Sequence, residues 1–300
     1  MKNDISNLVE LSHKIGSRLD FVQGGGGNIS VKISDNLMAV KASGYELKNL
    51  TATDGFAFVK HKKIVAEIEN LCAKNNGDDA IFSSFIKLFS ENIDGYSKLR
   101  PSMETGFHSL IPFKYVVHTH SVYGNVFACT KEGGAMMQKI FPQSLFVEYS
   151  NPGWQVTASI YKAWQDNIAL QKNSWPQIIL LQNHGLIIAA NSADEVFNLH
   201  EKVNETIKSY LKLESFEPSK IKLFEQNFMK ENILFPDQIV YGLFAEIAQS
   251  EIGLHTFLAY SYILQSIEKS ALTPLFLQQK DIDFVANMES EKYRREVAQK

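Results

Sequence analysis

Two histidines, His118 and His120, stand one residue apart after the apolar run Tyr115–Val117. The run predicts a short buried strand, and residues i and i+2 of a strand point to the same face. Both imidazoles could therefore reach one metal ion. A third histidine, His184, lies in an Asn-His-Gly turn between two apolar, strand-like segments. Three imidazoles with a fourth position left open are typical of a catalytic zinc site.

A His-x-His pair alone also arises by chance, so the metal interpretation depends on His184 as well. His108 follows Glu104 by four residues, so both would share one face of a helix. We expect His108 to support the site or to pack. The remaining histidines stand in amphipathic or polar segments and are expected to be structural or exposed: His13, His61, His200 and His255.

Glu104 is the candidate acid/base. It follows Pro101-Ser102, where a helix is predicted to begin with Ser102 near its N-cap. A carboxylate at this place could ligate the metal and exchange a proton with a substrate. The alternative is a glutamate that only interacts favourably with the helix dipole.

A run of four glycines, Gly24–Gly27, precedes Asn28 and an alternating segment that predicts a strand. Glycines allow backbone N–H groups to approach an anion closely. No Lys-Ser/Thr follows and no helix begins there, so neither a Walker loop nor a dinucleotide fingerprint is indicated. Ser43-Gly44 in a turn and Ser102 at a helix start are further anion donors. A plain surface loop is the alternative.

The order of elements is a strand-rich middle flanked by helices, which favours an α/β or α+β sandwich. Further strands are predicted at 37–42 and 55–59, and His61–Ile68 is expected to complete a small antiparallel meander. Residues 78–90 and 156–167 are predicted helices. Ser192 or Asp194 is expected to cap a long helix that runs to about Leu213.

The polar stretch Glu214–Lys220 is the best candidate boundary, which divides the chain into residues 1–213 and a mainly helical extension, 214–300. The charged final helix, from about Asp281, is expected to be a solvated or subunit-contacting surface. The charged residues of this helix are Glu289, Glu291, Lys292, Arg294, Arg295 and Glu296.

The composition is that of a globular protein, with 45% hydrophobic and 21% charged residues and a net charge of −3. No basic excess indicates a nucleic-acid or membrane partner. The two cysteines, Cys72 and Cys129, form no CxxC, which favours a reducing compartment. The N-terminus does not read as a signal peptide, and no segment is long enough to span a membrane. We expect a soluble cytoplasmic protein.

Five segments together resemble the class II aldolase/adducin family, and they occur in family order over about residues 5–210. They are GGGGNISVK (24–32), KASGYEL (41–47), RPSMETGFH (100–108), VVHTHS (116–121) and LLQNHGLIIAA (180–190). The resemblance implies a three-layer α/β/α sandwich around a mainly antiparallel central sheet. It also implies a homotetramer with sites at subunit interfaces.

On matching positions, the resemblance makes His118, His120 and His184 the Zn²⁺ ligands. Glu104 becomes an additional ligand that also serves as acid/base. The phosphate-site residues implied are Gly27, Asn28, Ser43, Gly44 and Ser102.

Two departures from the family pattern affect the hypothesis. Met103 stands where the fuculose-phosphate enzyme has a second serine for phosphate. The extension is longer than in the short aldolases, and FPDQIVY (235–241) and MESEKYR (288–294) look like the tails of long-form members. The family's catalytic tyrosine has no aligned counterpart, so Tyr123 and Tyr149 are candidates only.

The leading hypothesis is a zinc-dependent lyase that cleaves a ketose 1-phosphate into dihydroxyacetone phosphate and an aldehyde. A dehydratase acting on the same site is an alternative. A 4-epimerase is another, although its family pattern has Asp where this chain has Glu104. A non-catalytic adducin-like module is the third, and the intact histidine triad argues against it. Another divalent metal could replace zinc, because imidazole suits several metals.

Overall fold

A computed structural model describes residues 1–169, 174–243 and 249–298. Its centre is an eight-stranded sheet of order β4-β3-β2-β1-β5-β8-β7-β6. All neighbouring strands are antiparallel except the parallel pair β6–β7. The strands are β1 (Asn28–Lys32), β2 (Leu37–Lys41), β3 (Phe56–Lys60), β4 (Ser90–Glu91), β5 (Tyr115–Thr119), β6 (Leu145–Val147), β7 (Ile178–Leu181) and β8 (Gly185–Ala190).

Helices cover both faces of this sheet, and two hydrophobic cores contain strand residues, one on each face. In β2, for example, Ala39 contributes to the core on one face, while Met38 and Val40 contribute to the core on the other. The three-layer sandwich with a mainly antiparallel sheet and a helical extension is thus confirmed. The helices of the first 213 residues are α1 (Lys2–Gly16), α2 (His61–Lys74), α3 (Asp79–Leu88), α4 (Thr105–Leu110), α5 (Val122–Ala128), α6 (Gly133–Ile140), α7 (Trp154–Ala169) and α8 (Ala193–Tyr210).

One predicted strand is wrong: His61–Ile68 is not part of a meander but begins α2. The buried residues Ile64, Ile68 and Leu71 recur at intervals of three and four, which is the period of a helix face. The antiparallel partner of β3 on this side is instead the two-residue β4, which follows α3.

The extension adds five helices among its described residues: α9 (Gln226–Glu231), α10 (Pro236–Gly242), α11 (Glu251–Lys269), α12 (Gln279–Asn287) and α13 (Glu289–Ala298). Helix α11 is buried along much of its length, and its residues Tyr260 and Ile263 join the core on the α5 face of the sheet. The extension therefore shares a hydrophobic core with the sheet. The division of the chain at residue 213 stays a prediction.

Cys72 and Cys129 are both free thiols. No helix in the described part of the chain is long and apolar enough to cross a membrane.

Helix α8 begins with a capping box. Ser192 Oγ accepts the Glu195 N–H at 3.2 Å, and the Glu195 carboxylate accepts the Ser192 N–H at 3.1 Å. Of the two caps considered from the sequence, Ser192 is therefore the one used. On this helix His200 is fully buried, with Nε2 2.8 Å from Thr119 Oγ1 of β5.

We expect Ser192→Ala to lower the free energy of unfolding by about 1 kcal/mol, because a helix N–H loses its acceptor. Asp194→Ala, two residues further on and also exposed, is the matched control and should cost clearly less. Urea denaturation of both variants measures the difference. Equal losses would contradict the capping assignment.

His200 should make the stability of the fold depend on pH. Burial and Arg18 lower its pKa to about 3, whereas an unfolded histidine titrates near about 6.5. When the pH falls below the pKa of the unfolded histidine, the unfolded chain binds a proton at this position and the folded chain does not. The free energy of unfolding therefore decreases as the pH falls.

His200→Gln should therefore be less stable than the wild type at pH 7.5, and the gap should narrow by about 2 kcal/mol at pH 5. Urea titrations across this range measure it. His255→Gln, a change on a more exposed histidine of α11, is the control. A gap that does not change with pH would show that His200 is not buried in its neutral form.

Candidate metal site

Strand β5 carries two of the three candidate ligands. His118 is its fourth residue and His120 follows its end, and both are buried. The strand lies between β1 and β8, where Asn28 of β1 and Ile187 of β8 are the partners of His118. A central strand held on both edges gives these imidazoles a fixed backbone.

His184 comes from the tight turn between β7 and β8. Asn183 has a left-handed φ of 51°, which asparagine tolerates better than most residues. A side chain at Gly185 would collide with Thr119 O of β5 at 2.4 Å, so only glycine lets the turn lie this close to β5. The Asn183 side-chain amide donates to Leu234 O and Leu275 O of the extension at 2.8 and 2.7 Å.

The structure brings the three predicted histidines together. Their rings have centroids 4.9 Å apart for His118–His120 and His118–His184, and 5.4 Å apart for His120–His184. One nitrogen from each lies within 4.8 Å of the others, which is close enough for all three to hold one ion.

The hydrogen bonds of two rings show why the arrangement fits a cation. His118 Nδ1 lies 3.2 Å from Leu186 O, and His120 Nδ1 lies 2.5 Å from Asp237 Oδ2. Both partners only accept, so each Nδ1 carries the proton and each neutral ring has its lone pair on Nε2. The two Nε2 atoms are only 3.1 Å apart. Two lone pairs at this distance repel each other unless a cation lies between them.

His184 adds to this fit. Its Nδ1 is buried and has no hydrogen-bond partner among the described residues. Burial, together with His118 and His120, lowers the pKa of His184 to about 3, and burial and His120 lower that of His118 well below its usual value. These rings are therefore neutral near pH 7, as metal ligands must be.

Glu104 lies at the same point. Its Oε1 is 3.5 Å from His118 Nε2 and 3.6 Å from His184 Nε2. The other oxygen accepts a hydrogen bond from Asn28 Nδ2 at 3.1 Å. Glu104 is the N-cap of α4, as the helix start predicted from the sequence requires within one or two residues. Asn28, predicted to bind phosphate, thus orients the acid/base candidate.

The fully buried His108 lies on the same helix. Its Nδ1 is 2.8 Å from Ser30 Oγ, and its ring stacks on Phe107, which meets His118 edge-on. It therefore supports the site through packing and contributes no ligand atom to the triad. The two tyrosine candidates are turned to other partners. Tyr123 OH accepts the Phe216 N–H, and Tyr149 OH donates to Asn151.

A cavity of about 40 Å³ opens beside the triad. Four of the predicted phosphate residues line it: Gly27, Ser43, Gly44 and Ser102. Ser102 Oγ accepts the Glu104 N–H at 3.2 Å, so its own hydroxyl hydrogen remains available. Met103 contributes an apolar part of the wall.

Lys41 also lines the cavity, although it was not among the residues predicted for the site. Its ammonium donates to Tyr45 O at 2.6 Å. Burial and Arg294 lower the pKa of Lys41 to about 8, so it still carries a positive charge at neutral pH. Its position on β2, next to the predicted Ser43-Gly44 turn, was the one available signal.

The extension supplies three further residues that the sequence did not reveal. Asp237 of α10 and both Glu291 and Arg294 of α13 line the cavity. The final helix was predicted to be a solvated or subunit-contacting surface, and for Glu291 and Arg294 the prediction of a solvated position is wrong. Glu291 is 1% exposed and Arg294 16%, because the helix turns one face into the site, while Glu289, Lys292 and Glu296 stay in solvent.

Charge pairing compensates for the burial of these groups. Burial opposes ionisation of Asp237, but His120 and Arg294 hold its pKa well below the usual range. Burial raises the pKa of Glu291, and Arg294 counteracts part of that effect. The i, i+3 spacing of Glu291 and Arg294 was the signal in the sequence, but it is equally common on exposed helices.

A carboxylate beside a buried triad of imidazoles, within an α/β/α sandwich, is compatible with a divalent metal. The model of the Class II Aldolase and Adducin N-terminal domain matches residues 6–211. The chain therefore belongs to the class II aldolase/adducin family, with a C-terminal extension beyond the matched domain.

A curated relative is "Uncharacterized oxidoreductase YuxG" of Bacillus subtilis (strain 168), 24% identical over 216 residues. The match spans 69% of this chain but only 29% of that protein. Among solved structures, the N-terminal class II aldolase domain of a Thermoplasma acidophilum protein is similar at a TM-score of 0.57 and 24% identity. That match covers 69% of this chain and 93% of the other.

An L-fuculose 1-phosphate aldolase structure covers 97% of this chain and 96% of its own, with 16% identity and a TM-score of 0.45.

Removal of one triad imidazole should abolish stable metal binding. We expect His118→Ala and His184→Ala to purify with less than a tenth of the metal found in the wild type, because two imidazoles do not hold the ion against dialysis. Elemental analysis measures the metal-to-protein ratio. His108→Gln, a change on the nearest histidine outside the triad, should keep its metal. Full occupancy in either alanine variant would refute the triad.

Proposed function

We propose that this chain is a metal-dependent lyase that cleaves a ketose 1-phosphate into dihydroxyacetone phosphate and an aldehyde. The observation that carries the proposal is the convergence of His118 Nε2, His120 Nε2 and the Glu104 carboxylate on one point at the edge of a lined cavity. We further propose that His118, His120 and His184 hold the ion, with Glu104 near enough to join them, and that the ion is zinc.

The metal, when bound, supplies a Lewis acid that polarises the sugar carbonyl and favours cleavage of the C3–C4 bond. As the C3–C4 bond breaks, the C4 hydroxyl would release its proton and become the aldehyde oxygen. Glu104 would take up that proton and deliver a proton to C3. Asn28 holds one oxygen of this carboxylate at 3.1 Å, so the other remains directed at the site. A carboxylate with one oxygen held and the other directed at the site suits a group that must exchange a proton with substrate.

The phosphate would lie among Gly27, Ser43, Gly44 and Ser102. The left-handed φ values of Gly27 (72°) and Gly44 (83°) shape the turns on either side of this part of the cavity. Lys41 supplies the buried positive charge that a phosphate needs. This charge would compensate for the hydrogen bond to phosphate that is lost because Met103 stands in place of a serine.

The cavity is smaller than a sugar phosphate requires, since pockets for small molecules measure about 300 Å³ or more. Glu291 and Arg294 close it from the side of α13. We therefore propose that α13 moves away from the triad when substrate enters. Each chain would also assemble into a homotetramer, as the resemblance to the family implies.

We expect Glu104→Gln to lower kcat by about 10²- to 10⁴-fold, because the amide cannot carry the proton. The metal content should change little, since the three imidazoles remain. Glu69→Gln, at an exposed position of α2, is the matched control. Steady-state kinetics with ketose 1-phosphates, coupled to detection of dihydroxyacetone phosphate, measure the effect. Unchanged kcat in Glu104→Gln would refute its role.

The same assay separates the rival reactions. Rhamnulose, fuculose and ribulose phosphates are incubated with the metal-loaded wild type, and the products are identified by mass and by NMR. Release of dihydroxyacetone phosphate supports the lyase. A product lighter by one water indicates a dehydratase, and an isomer of equal mass indicates an epimerase. A protein that cannot be loaded with metal and converts none of them is the outcome expected of an adducin-like module.

A further inference from the structure

The extension makes a direct contact with a candidate metal ligand. His120 Nδ1 lies 2.5 Å from Asp237 Oδ2, although the two residues are 117 positions apart. Asp237 is 1% exposed, and its other oxygen accepts from Arg294 Nη2 at 2.8 Å. A buried carboxylate that accepts from both an imidazole and a guanidinium has its orientation fixed at both oxygens.

The glycine run provides the space in which the extension lies against the triad. A Cβ at Gly26 would stand 2.6 Å from Asp237 Oδ2 and 2.8 Å from His120 Nδ1. A Cβ at Gly25 would stand 2.8 Å from Tyr241 OH, and one at Gly24 would stand 2.6 Å from Ile252. Three consecutive glycines thus contact three different residues of the extension. The close packing against the extension therefore explains why these three positions are glycines, in addition to any role that they have in binding an anion.

Arg294 connects Asp237 to the final helix. Its Nη2 also contacts Tyr241 OH at 3.1 Å, and its Nη1 donates to Glu291 at 2.8 Å. With two acidic partners, this guanidinium has no net charge to offer an anionic substrate. Its hydrogen bonds instead hold Asp237 in place.

We propose that Asp237 is a positioning residue for the metal centre, and that the extension is thereby a working part of that centre. Asp237 accepts the Nδ1 proton of His120, which fixes the tautomer with the lone pair on Nε2 and fixes the plane of the ring. Arg294 keeps the carboxylate in this orientation. The proposal rests on the metal site proposed above. It adds a hydrogen-bond acceptor for Nδ1 of His120, the ring nitrogen that does not face the metal. Such a contact orients a metal ligand and affects its affinity for the ion.

The tautomer gives the proposal a measurable consequence. In Asp237→Asn, the amide fills the same space, but one of its two polar atoms becomes a donor. If the amide nitrogen faces His120, Nδ1 must accept and Nε2 must carry the proton, which removes the lone pair from the metal. Loss of such a partner typically weakens metal binding by about 10- to 100-fold.

The experiment uses the full chain, stripped of metal and titrated with Co²⁺ and with Zn²⁺ against a competing chelator. The variants are Asp237→Asn, Gly26→Ala and Arg294→Gln, with His118→Ala as the reference for a lost ligand. Asp283→Asn, an exposed aspartate on α12, is the matched control. The readouts are the dissociation constant, the visible spectrum of bound Co²⁺ and the thermal unfolding of the metal-free protein.

We expect the dissociation constant to rise about 10- to 100-fold in Asp237→Asn, with an altered Co²⁺ spectrum, and to rise in Gly26→Ala because the added methyl group separates Asp237 from His120. Arg294→Gln should show a smaller rise, and Asp283→Asn none. Should Asp237→Asn fail to fold, Gly26→Ala and Arg294→Gln decide the question.

Wild-type affinity and an unchanged Co²⁺ spectrum in folded variants would overturn the role of Asp237. Wild-type affinity in His118→Ala would instead show that the metal site itself is assigned wrongly. The two failures are therefore distinguishable.

Discussion

Two imidazole nitrogens that face each other at 3.1 Å are the constraint on which the site depends. Each ring has its Nδ1 proton committed, one to the Leu186 carbonyl and the other to Asp237. The lone pairs of His118 and His120 are thus forced towards one point. A fold that holds them there must gain from a cation more than it loses by their repulsion. The central position of β5, the turn at Asn183 and the placement of α4 all serve to keep this point fixed.

The extension takes part in that constraint in two ways. It contributes the acceptor behind His120, and it receives the Asn183 amide that positions the His184 turn. The family domain, residues 6–211, contains the triad and Glu104 but neither of these contacts. The site of this chain is therefore not fully described by its family domain. The charged network of Asp237, Glu291 and Arg294 is also the wall that keeps the cavity small.

The sequence was sufficient for the parts of the site that depend on local spacing. His118 and His120 share a face because strands have a period of two, and the Asn-His-Gly turn is recognisable from its residues alone. The start of α4 at Glu104 follows from Pro101-Ser102. The helical period of Ile64, Ile68 and Leu71 was also present in the sequence. The prediction of a strand after β3 did not take this period into account.

The remaining parts depend on distant contacts that no local pattern encodes. Asp237 stands in an ordinary Phe-Pro-Asp helix start, and nothing within its neighbourhood indicates an imidazole 117 residues earlier. The use of the glycine run could not be predicted from the sequence either. An anion-binding loop and a loop packed against another helix both require residues without Cβ atoms. The positions of Ile252, Tyr241 and Asp237 in the structure show that the glycines pack against the extension.

The glycine run and the residues packed against it are synthesised at different times. Translation produces the glycines first, then the three histidines, and only later Asp237 and Arg294. β5 also pairs with β8, which is made much later, and such non-local pairing is slow. The hydrogen bond between His120 and Asp237 joins residues 117 positions apart, so it forms only when α10 lies against the glycine run. The contacts around His120 are therefore complete only in a chain whose extension has folded against the sheet.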